Sequence, residues 1–225
     1  MVAGVPLFTC MARRKTLKKA EFTSFSNCFD PQTDHRGRWA EYFANPYPIT
    51  LELGCGKAAF IYELAQRFPK RNFIGIDLKA DRLWRPAKEA LEAEIHNLAF
   101  LQINLLSIDE HFGENEVSEI WITFPDPFPK KRQAKHRMTN AHFLEKYESI
   151  LRPDGHFFLK TDNLDLFHYS LEVLVNRKRV KLRDLSFDLH GNEQISKEAK
   201  VKTTYEKKFI EMGMKINYVS WEVAD

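Results

Sequence analysis

Along this chain the apolar residues change their habit abruptly. Before about residue 46 they show little periodicity, with Pro, Ser, Asn and Gly scattered among them and a basic cluster from Arg13 to Lys19. Residues 1–46 are therefore expected to form a loosely ordered N-terminal extension, with one short helix near Gly37–Phe43. From Ile49 onward, short apolar runs alternate with longer stretches of helical period. "ITLELG", "NFIGID", "LAFLQI", "EIWITF" and "HFFLKTD" read as strands. Between them lie a helix ending about Phe68, "KADRLWRPAKEALEAEI" with Pro86 inside it, and "NAHFLEKYESIL", which the turn signal "RPDG" closes. "LDLFHYSLEVLVN" is a further helix. "LRDLSFDL" and "KINYVSWEV" read as late antiparallel strands, with "TTYEKKFIEMG" helical between them.

Strands alternating with helices predict βαβ units, hence an α/β domain over residues 47–225 built on a mostly parallel, doubly wound sheet. Such sheets bind ligands outside the carboxyl ends of their strands, near the point where strand order reverses. That rule gathers Gly54–Ala58, Asp77, Asn104, Asp126 and Asp162 into one expected site, since each ends or follows a predicted strand.

The glycine turn "LELGCGKAAF" has more than one reading. It can be a tight turn with no ligand. Gly54-x-Gly56-x-x-Ala59, with Asp77 about 20 residues on, also satisfies a dinucleotide fingerprint. A Walker loop is excluded, because Ala58 occupies the Ser/Thr position. Glu52 favours S-adenosylmethionine: an acid ending an apolar strand is costly unless a cation or donor meets it. S-adenosylmethionine carries an ammonium and a sulfonium, whereas NAD brings a pyrophosphate that a carboxylate repels. Asp77 suits ribose hydroxyls or a helix N-cap. Asn104 can pair with an adenine edge or simply stabilise a turn.

Charge matters only locally. Net charge is +3 (34 Lys+Arg against 31 Asp+Glu), too little to argue for nucleic acid in bulk. The stretch "TFPDPFPKKRQAKHRMTN" concentrates it. Pro125, Pro127 and Pro129 fix φ at alternate residues and remove backbone donors, so neither helix nor central strand continues there. Asp126 is held in this frame, for a ligand or an Asx turn, and Phe128 is available to cover a base or to pack. Lys130, Lys131, Arg132, Lys135 and Arg137, with His136, then form a cationic lip suited to phosphates. The run Arg177, Lys178, Arg179, Lys181, Arg183 reads instead as a solvated face. Three cysteines give no disulfide framework or zinc pattern, and eight histidines show no ligand spacing. A reducing, cytoplasmic setting follows. No apolar run approaches the roughly 20 residues that span a bilayer, so neither a metal nor a membrane is expected.

At these residues the chain resembles the bacterial TrmB-type tRNA (guanine-N7-)-methyltransferases, from about Ile49 to the end. "FPDPFPKKRQAKHR" is similar to that family's PDPWPKKR-type signature, and "FFLKTDN" and "TTYEKKF" resemble its two later motifs. The resemblance implies a Rossmann-like class I S-adenosylmethionine-dependent methyltransferase acting on the guanine at position 46 of the tRNA variable loop; the sequence is compatible with a monomer or a homodimer. It implies cofactor contacts at Glu52, Asp77 and Asn104, with Asp126 at the junction of cofactor and guanine, and the turn itself is expected to bring Gly54 and Gly56 against the same cofactor. It implies RNA contacts at Lys130, Asp162 and Thr203, Thr204, Tyr205, Glu206, beside the contacts that Phe128, Lys131, Arg132 and Lys135 are expected to make from their own chemistry. Three departures stand out. Phe128 replaces the usual Trp, Asn104 a usual acid, and Ala58 the third glycine, which is tolerable if its φ is negative. Thr203 and Glu206 also match a helix-capping box, and Asp162 can cap the helix that follows it. A degenerate scaffold that binds RNA without catalysis is the alternative of a different class.

Overall fold

Short β-branched and aromatic runs bounded by Pro, Asn and Gly become the central strands, in a computed structural model that describes residues 16–223, the side chain of Thr204 excepted. A helix over residues 16–22 (α1) leads to β1 (Cys28–Phe29) and α2 (Trp39–Phe43). Then follow β2 (Ile49–Leu53), α3 (Ala59–Arg67), β3 (Asn72–Asp77), α4 (Ala80–Glu92) and β4 (Leu98–Gln102). Next come α5 (Ile108–His111), β5 (Val117–Thr123), α6 (Ala141–Ile150), β6 (Leu151–Thr161) and α7 (Leu164–Val175). The chain ends in β7 (Val180–Ser186), α8 (Thr204–Glu211) and β8 (Asn217–Val223).

The eight strands form one sheet in the order β1-β4-β3-β2-β5-β6-β8-β7. Pairing is parallel from β1 to β6, and β8 is antiparallel to both β6 and β7. Strand order reverses between β2 and β5, which are direct neighbours with Leu53 opposite Ile122. Alternation along β2 serves both faces. Ile49, Leu51 and Leu53 join a core built with Trp39, Phe143, Tyr147 and Phe167 of α2, α6 and α7. On the other face, Phe60, Ile61 and Leu64 of α3 and Leu83 and Ala87 of α4 form the second layer. Two apolar layers around a parallel sheet remove both faces from water, which is why its strands are almost wholly apolar.

Two expectations are corrected. Residues 16–46 are not a loose extension: β1 extends the sheet beside β4, and Phe22, Trp39 and Phe43 are buried. Trp39 donates its indole N–H to the His111 carbonyl at 3.0 Å, while the Glu116 carboxylate accepts from the backbone of Gly37, Trp39 and Gly113. This segment is anchored by isolated aromatics and one remote acid, which leave no periodic trace. Residues 1–15, which hold Cys10 and the start of the basic cluster, lie outside the described residues. "RPDG", expected as a turn, is a wide bulge inside β6. Val117 pairs with Leu151 and Glu119 with His156, so three residues of β5 face six of β6.

Candidate active site at the carboxyl edge of the sheet

The expected site residues emerge in strand order along one edge. Asn104 follows β4, Asp77 ends β3, the glycine turn follows β2, Asp126 follows β5 and Asp162 follows β6. Gly54 (φ +67°) and Gly56 (φ +58°) take the left-handed conformation that favours glycine. A Cβ on Gly54 would come within 2.6 Å of Met138 Cε. The end of the basic segment is therefore packed directly over the glycine turn. Ala58 lies in the same left-handed region (φ +54°), so the condition under which alanine would be tolerated without strain, a negative φ, is not met. The turn holds this alanine at a strain of about 1–2 kcal/mol.

Glu52 does meet donors, and they come from the protein. Its carboxylate accepts from Thr123 Oγ1 at 2.5 Å and from the Ile61 N–H at 3.2 Å. The side chain is 1% exposed, so it sits beneath the turn, out of reach of any ligand in this arrangement. Burial pushes its pKa up to about 7, against the opposing pull of those donors and of Lys160. Asp77 spans the turn: it accepts from the Gly56 N–H at 3.0 Å and the Lys79 N–H at 2.9 Å, with Arg82 at 3.5 Å. It is not a helix cap, since Lys79 holds that place on α4. Asn104 accepts from the Leu106 N–H at 3.0 Å and so caps a 3-10 turn. Its amide nitrogen has no partner among the described residues.

The proline-framed loop is different in kind. Asp126 is exposed and has no hydrogen-bond or ion-pair partner among the described residues. On either side of it Phe124 (φ +50°) and Phe128 (φ +44°) occupy the left-handed region, where bulky residues are genuine outliers. Strain of that kind persists only when the surroundings impose it. Here Phe124 N–H donates to the Lys160 carbonyl at 2.8 Å. Arg137 donates to the carbonyls of Pro127 at 3.1 Å and Phe128 at 3.0 Å. Arg137 also lies 4.2 Å over the Tyr169 ring and is buried. It thus leaves the cationic lip and becomes the strut of the loop. Lys130, Lys131, Arg132 and Lys135 remain exposed on and before a 3-10 helix, Lys131–His136, with no ion pair among the described residues. Phe128 is half-buried, its ring 5.6 Å from that of His136.

Asp162 is half-buried, and burial pushes its pKa upward. It does not cap α7, because Asn163 does, accepting from the Leu166 N–H at 2.8 Å. In the Thr203–Glu206 segment only Tyr205 is exposed among the described side chains. Thr203 and Glu206 form a reciprocal capping box at the start of α8 and are buried, which corrects the expectation that both face the substrate. The Thr204 side chain lies outside the description. Sequence reasoning missed Arg137 as a strut, Thr123 as the partner of Glu52, and Lys160. The one available signal was a Lys and a Thr inside apolar strands. The second basic run is paired as expected of a solvated face: Arg177 with Glu148, and Lys181 and Arg183 with Glu222. Among the described residues there is no cluster suited to a metal ion and no helix long and apolar enough to cross a membrane.

Residues 46–219 match a family model described as "Putative methyltransferase". The chain is 38% identical over 218 residues to the tRNA (guanine-N(7)-)-methyltransferase of Cytophaga hutchinsonii, spanning 94% of this chain and 98% of that protein. It is 40% identical over 222 residues to the protein of the same name from Christiangramia forsetii, spanning 94% and 99%. A solved structure described as an antibiotic-related methyltransferase superposes with a TM-score of 0.63 at 19% identity, covering 83% of this chain and 94% of that one. That likeness establishes the class I methyltransferase fold and nothing finer. At the identity and coverage of its full-length relatives, the chain belongs to the tRNA (guanine-N(7)-)-methyltransferase family.

Proposed function

We propose that this protein transfers the methyl group of S-adenosylmethionine to N7 of a tRNA guanine, and that the guanine is the one at position 46 in the variable loop. The observation that carries this reading is the exposed, unpartnered Asp126 on a strained loop, followed by four unpaired cations and by Met138, which packs over the glycine turn.

The residues at the edge fit the cofactor. Gly56, with nothing nearer to a Cβ position than the Gly54 carbonyl at 4.0 Å, leaves its side of the turn open to close approach, and Gly54 provides the left-handed bend. Asp77 has two backbone donors, and a carboxylate has about four acceptor sites, so capacity remains for ribose hydroxyls. The free amide nitrogen of Asn104 can donate to an adenine ring nitrogen. Glu52 acts from below, tying the start of α3 to β5. When bound, S-adenosylmethionine supplies a methyl group activated by a sulfonium.

Guanine N7 carries a lone pair and no proton, so no general base has to create the nucleophile. The chain's own work is alignment and charge. Asp126 faces the imidazole ring as it becomes cationic, and a preorganised carboxylate stabilises that charge. Its strained, strutted backbone keeps it in place before the substrate arrives. Asp162 accepts from the donors on the N1/N2 edge of guanine, while Lys130, Lys131, Arg132 and Lys135 hold phosphates. Phe128 covers the base and Tyr205 contacts the RNA. Thr203, Thr204 and Glu206 serve through the shape of the α8 start.

The test is nucleoside analysis of an unmodified tRNA transcript incubated with enzyme and labelled donor. Label is expected in 7-methylguanosine alone, with chemical scission at position 46 and no label in a transcript carrying adenine there. Label in another nucleoside refutes the activity. Scission at a different guanine refutes the position.

A further inference from the structure

Lys160 and Glu206 are the most deeply enclosed charged pair in the described protein, with side chains 0% exposed. Lys160 lies on β6 opposite Thr123, one residue before the strand ends. Its ammonium donates to the carbonyls of Ala199 at 3.1 Å and Val201 at 2.7 Å, and to Glu206 Oε2 at 2.8 Å. Those three bonds use all three of its donors. Glu206 also accepts from the Thr203 N–H at 3.0 Å and contacts His190 Nε2 at 2.8 Å.

A buried pair of this kind contributes little net stability, because desolvation offsets the attraction and apolar residues of similar volume serve as well. What it does confer is geometry. It locks residues 199–206 onto the carboxyl end of β6. A second tie comes from α8 itself, where the Phe209 ring lies 5.7 Å from Phe124 at the start of the proline loop. Phe124 and Phe209 pack against the core layer of α3 and α4, whereas Met138, at the end of the cationic segment, packs against the layer on the other face of the sheet, so α8 is mounted beside the proline loop on the flank opposite the lip. The solvent side of α8 exposes Tyr205, Lys207 and Lys208, and Lys202 is exposed just before its N-cap. None of these lysines forms an ion pair among the described residues. Exposed lysines interleaved with an aromatic ring suit a nucleic-acid backbone with an unstacked base.

We propose that α8 is a second phosphate-gripping surface for the RNA, and that the buried Lys160–Glu206 pair is the positioning element that holds it beside the Asp126 loop. This rests on RNA being the substrate, as argued above. Lys202, Lys207 and Lys208 supply the cations, and the pair fixes where they stand relative to the site. The target base is then bracketed, with the lip on one side of the proline loop and α8 on the other.

Two variants test it. The first replaces Lys202, Lys207 and Lys208 together by Ala, all on the surface, and measures filter binding of an unmodified tRNA transcript across a salt series. The log–log slope is expected to fall by about 2.5 units, a little under one for each of the three phosphates no longer neutralised. The KM for tRNA should rise about tenfold, with kcat and donor affinity within about threefold. The second variant, Lys160→Met with Glu206→Gln, removes both charges so that neither is left uncompensated. It is expected to show the same KM-weighted loss while melting as a folded protein. An unchanged slope in the lysine variant overturns the α8 surface. A folded double variant with unchanged tRNA KM, or with its loss confined to kcat, overturns the positioning role. Binding is read without turnover, so the slope decides the matter even if the wild type transferred no methyl group to tRNA.

Discussion

Glu52 lies near the end of β2 and Asp126 in the loop that follows the neighbouring β5, at the same end of the sheet, and their surroundings are opposite. Glu52 is enclosed, accepts two internal hydrogen bonds and has its pKa pushed up to about 7 by burial. Asp126 is exposed, has no partner among the described residues and is held by prolines and strained neighbours. A motif acid can serve the scaffold or the ligand, and the number of its acceptor sites already taken by the protein separates the two. The same contrast divides the cations. Arg137 donates to two loop carbonyls, while Arg132, five residues earlier, is exposed and unpaired.

The strongest way to break this comparison is Asp126→Ala. It is expected to lower kcat about 100- to 1000-fold, the usual effect of losing one preorganised electrostatic group. Donor affinity should stay within a few fold and the melting temperature should barely move, as single-turnover kinetics, calorimetric titration and thermal melting would read. Near-normal turnover removes Asp126 from the chemistry.

Glu52→Gln sharpens the scaffold side through pH. The folded-state pKa, about 7, lies above the ordinary value of 4.5. Between those values the folded protein holds a proton that the unfolded chain releases. The stability this group contributes is therefore complete below pH 4.5 and lost as pH rises through 7. At 1.36 kcal/mol per pKa unit the loss is on the order of 3 kcal/mol. The wild type should lose stability relative to the Gln variant across that window in denaturant titrations at pH 4.5 and 8. A constant difference would place the Glu52 pKa near its ordinary value.

For the cations, Arg137→Ala is expected to cost about 2 kcal/mol of stability, because two carbonyls are left unpaired and the Tyr169 ring loses its cation. Replacing Lys131, Arg132 and Lys135 together by Ala should leave stability within about 0.5 kcal/mol. It should flatten the salt dependence of tRNA binding by a little under one log–log unit per phosphate released. If both changes shift the salt slope alike, Arg137 belongs to the lip after all.

The smallest effect belongs to Ala58→Gly. Relief of about 1–2 kcal/mol of left-handed strain is offset by the greater chain entropy of glycine, about 0.5–1 kcal/mol, and by removal of a buried methyl, about 0.8 kcal/mol. Denaturant unfolding should detect a change within about 1 kcal/mol. A gain well beyond that would mean that the alanine strains the turn more than its φ of +54° implies.

Much of the edge was legible because β-strand periodicity and glycine turns are local. The runs around Leu51, Ile74, Phe100 and Ile120 could be placed as strands from their neighbours alone. Gly54, Asp77 and Asp126 followed from the rule for doubly wound sheets. What stayed hidden depends on groups far apart in sequence. Trp39 and Phe43 are anchors without a repeat, and Glu116 binds Gly37 across 79 positions. Arg137 is one of five like charges in eight residues, and nothing local distinguishes the one that turns inward. Glu206 matched a capping box, yet its burial depends on Lys160, 46 positions away.

The sequence alone determined the order of the main strands and helices from β2 onward, the carboxyl edge as the candidate site, and a proline-fixed acid next to concentrated positive charge. These follow from side-chain period and from φ restrictions that each residue carries with it. The tertiary structure decided which acids and cations are already satisfied and which stay available to a ligand. That depends on donors, acceptors and burial supplied by distant segments, and desolvation exists only once those segments have closed over the group.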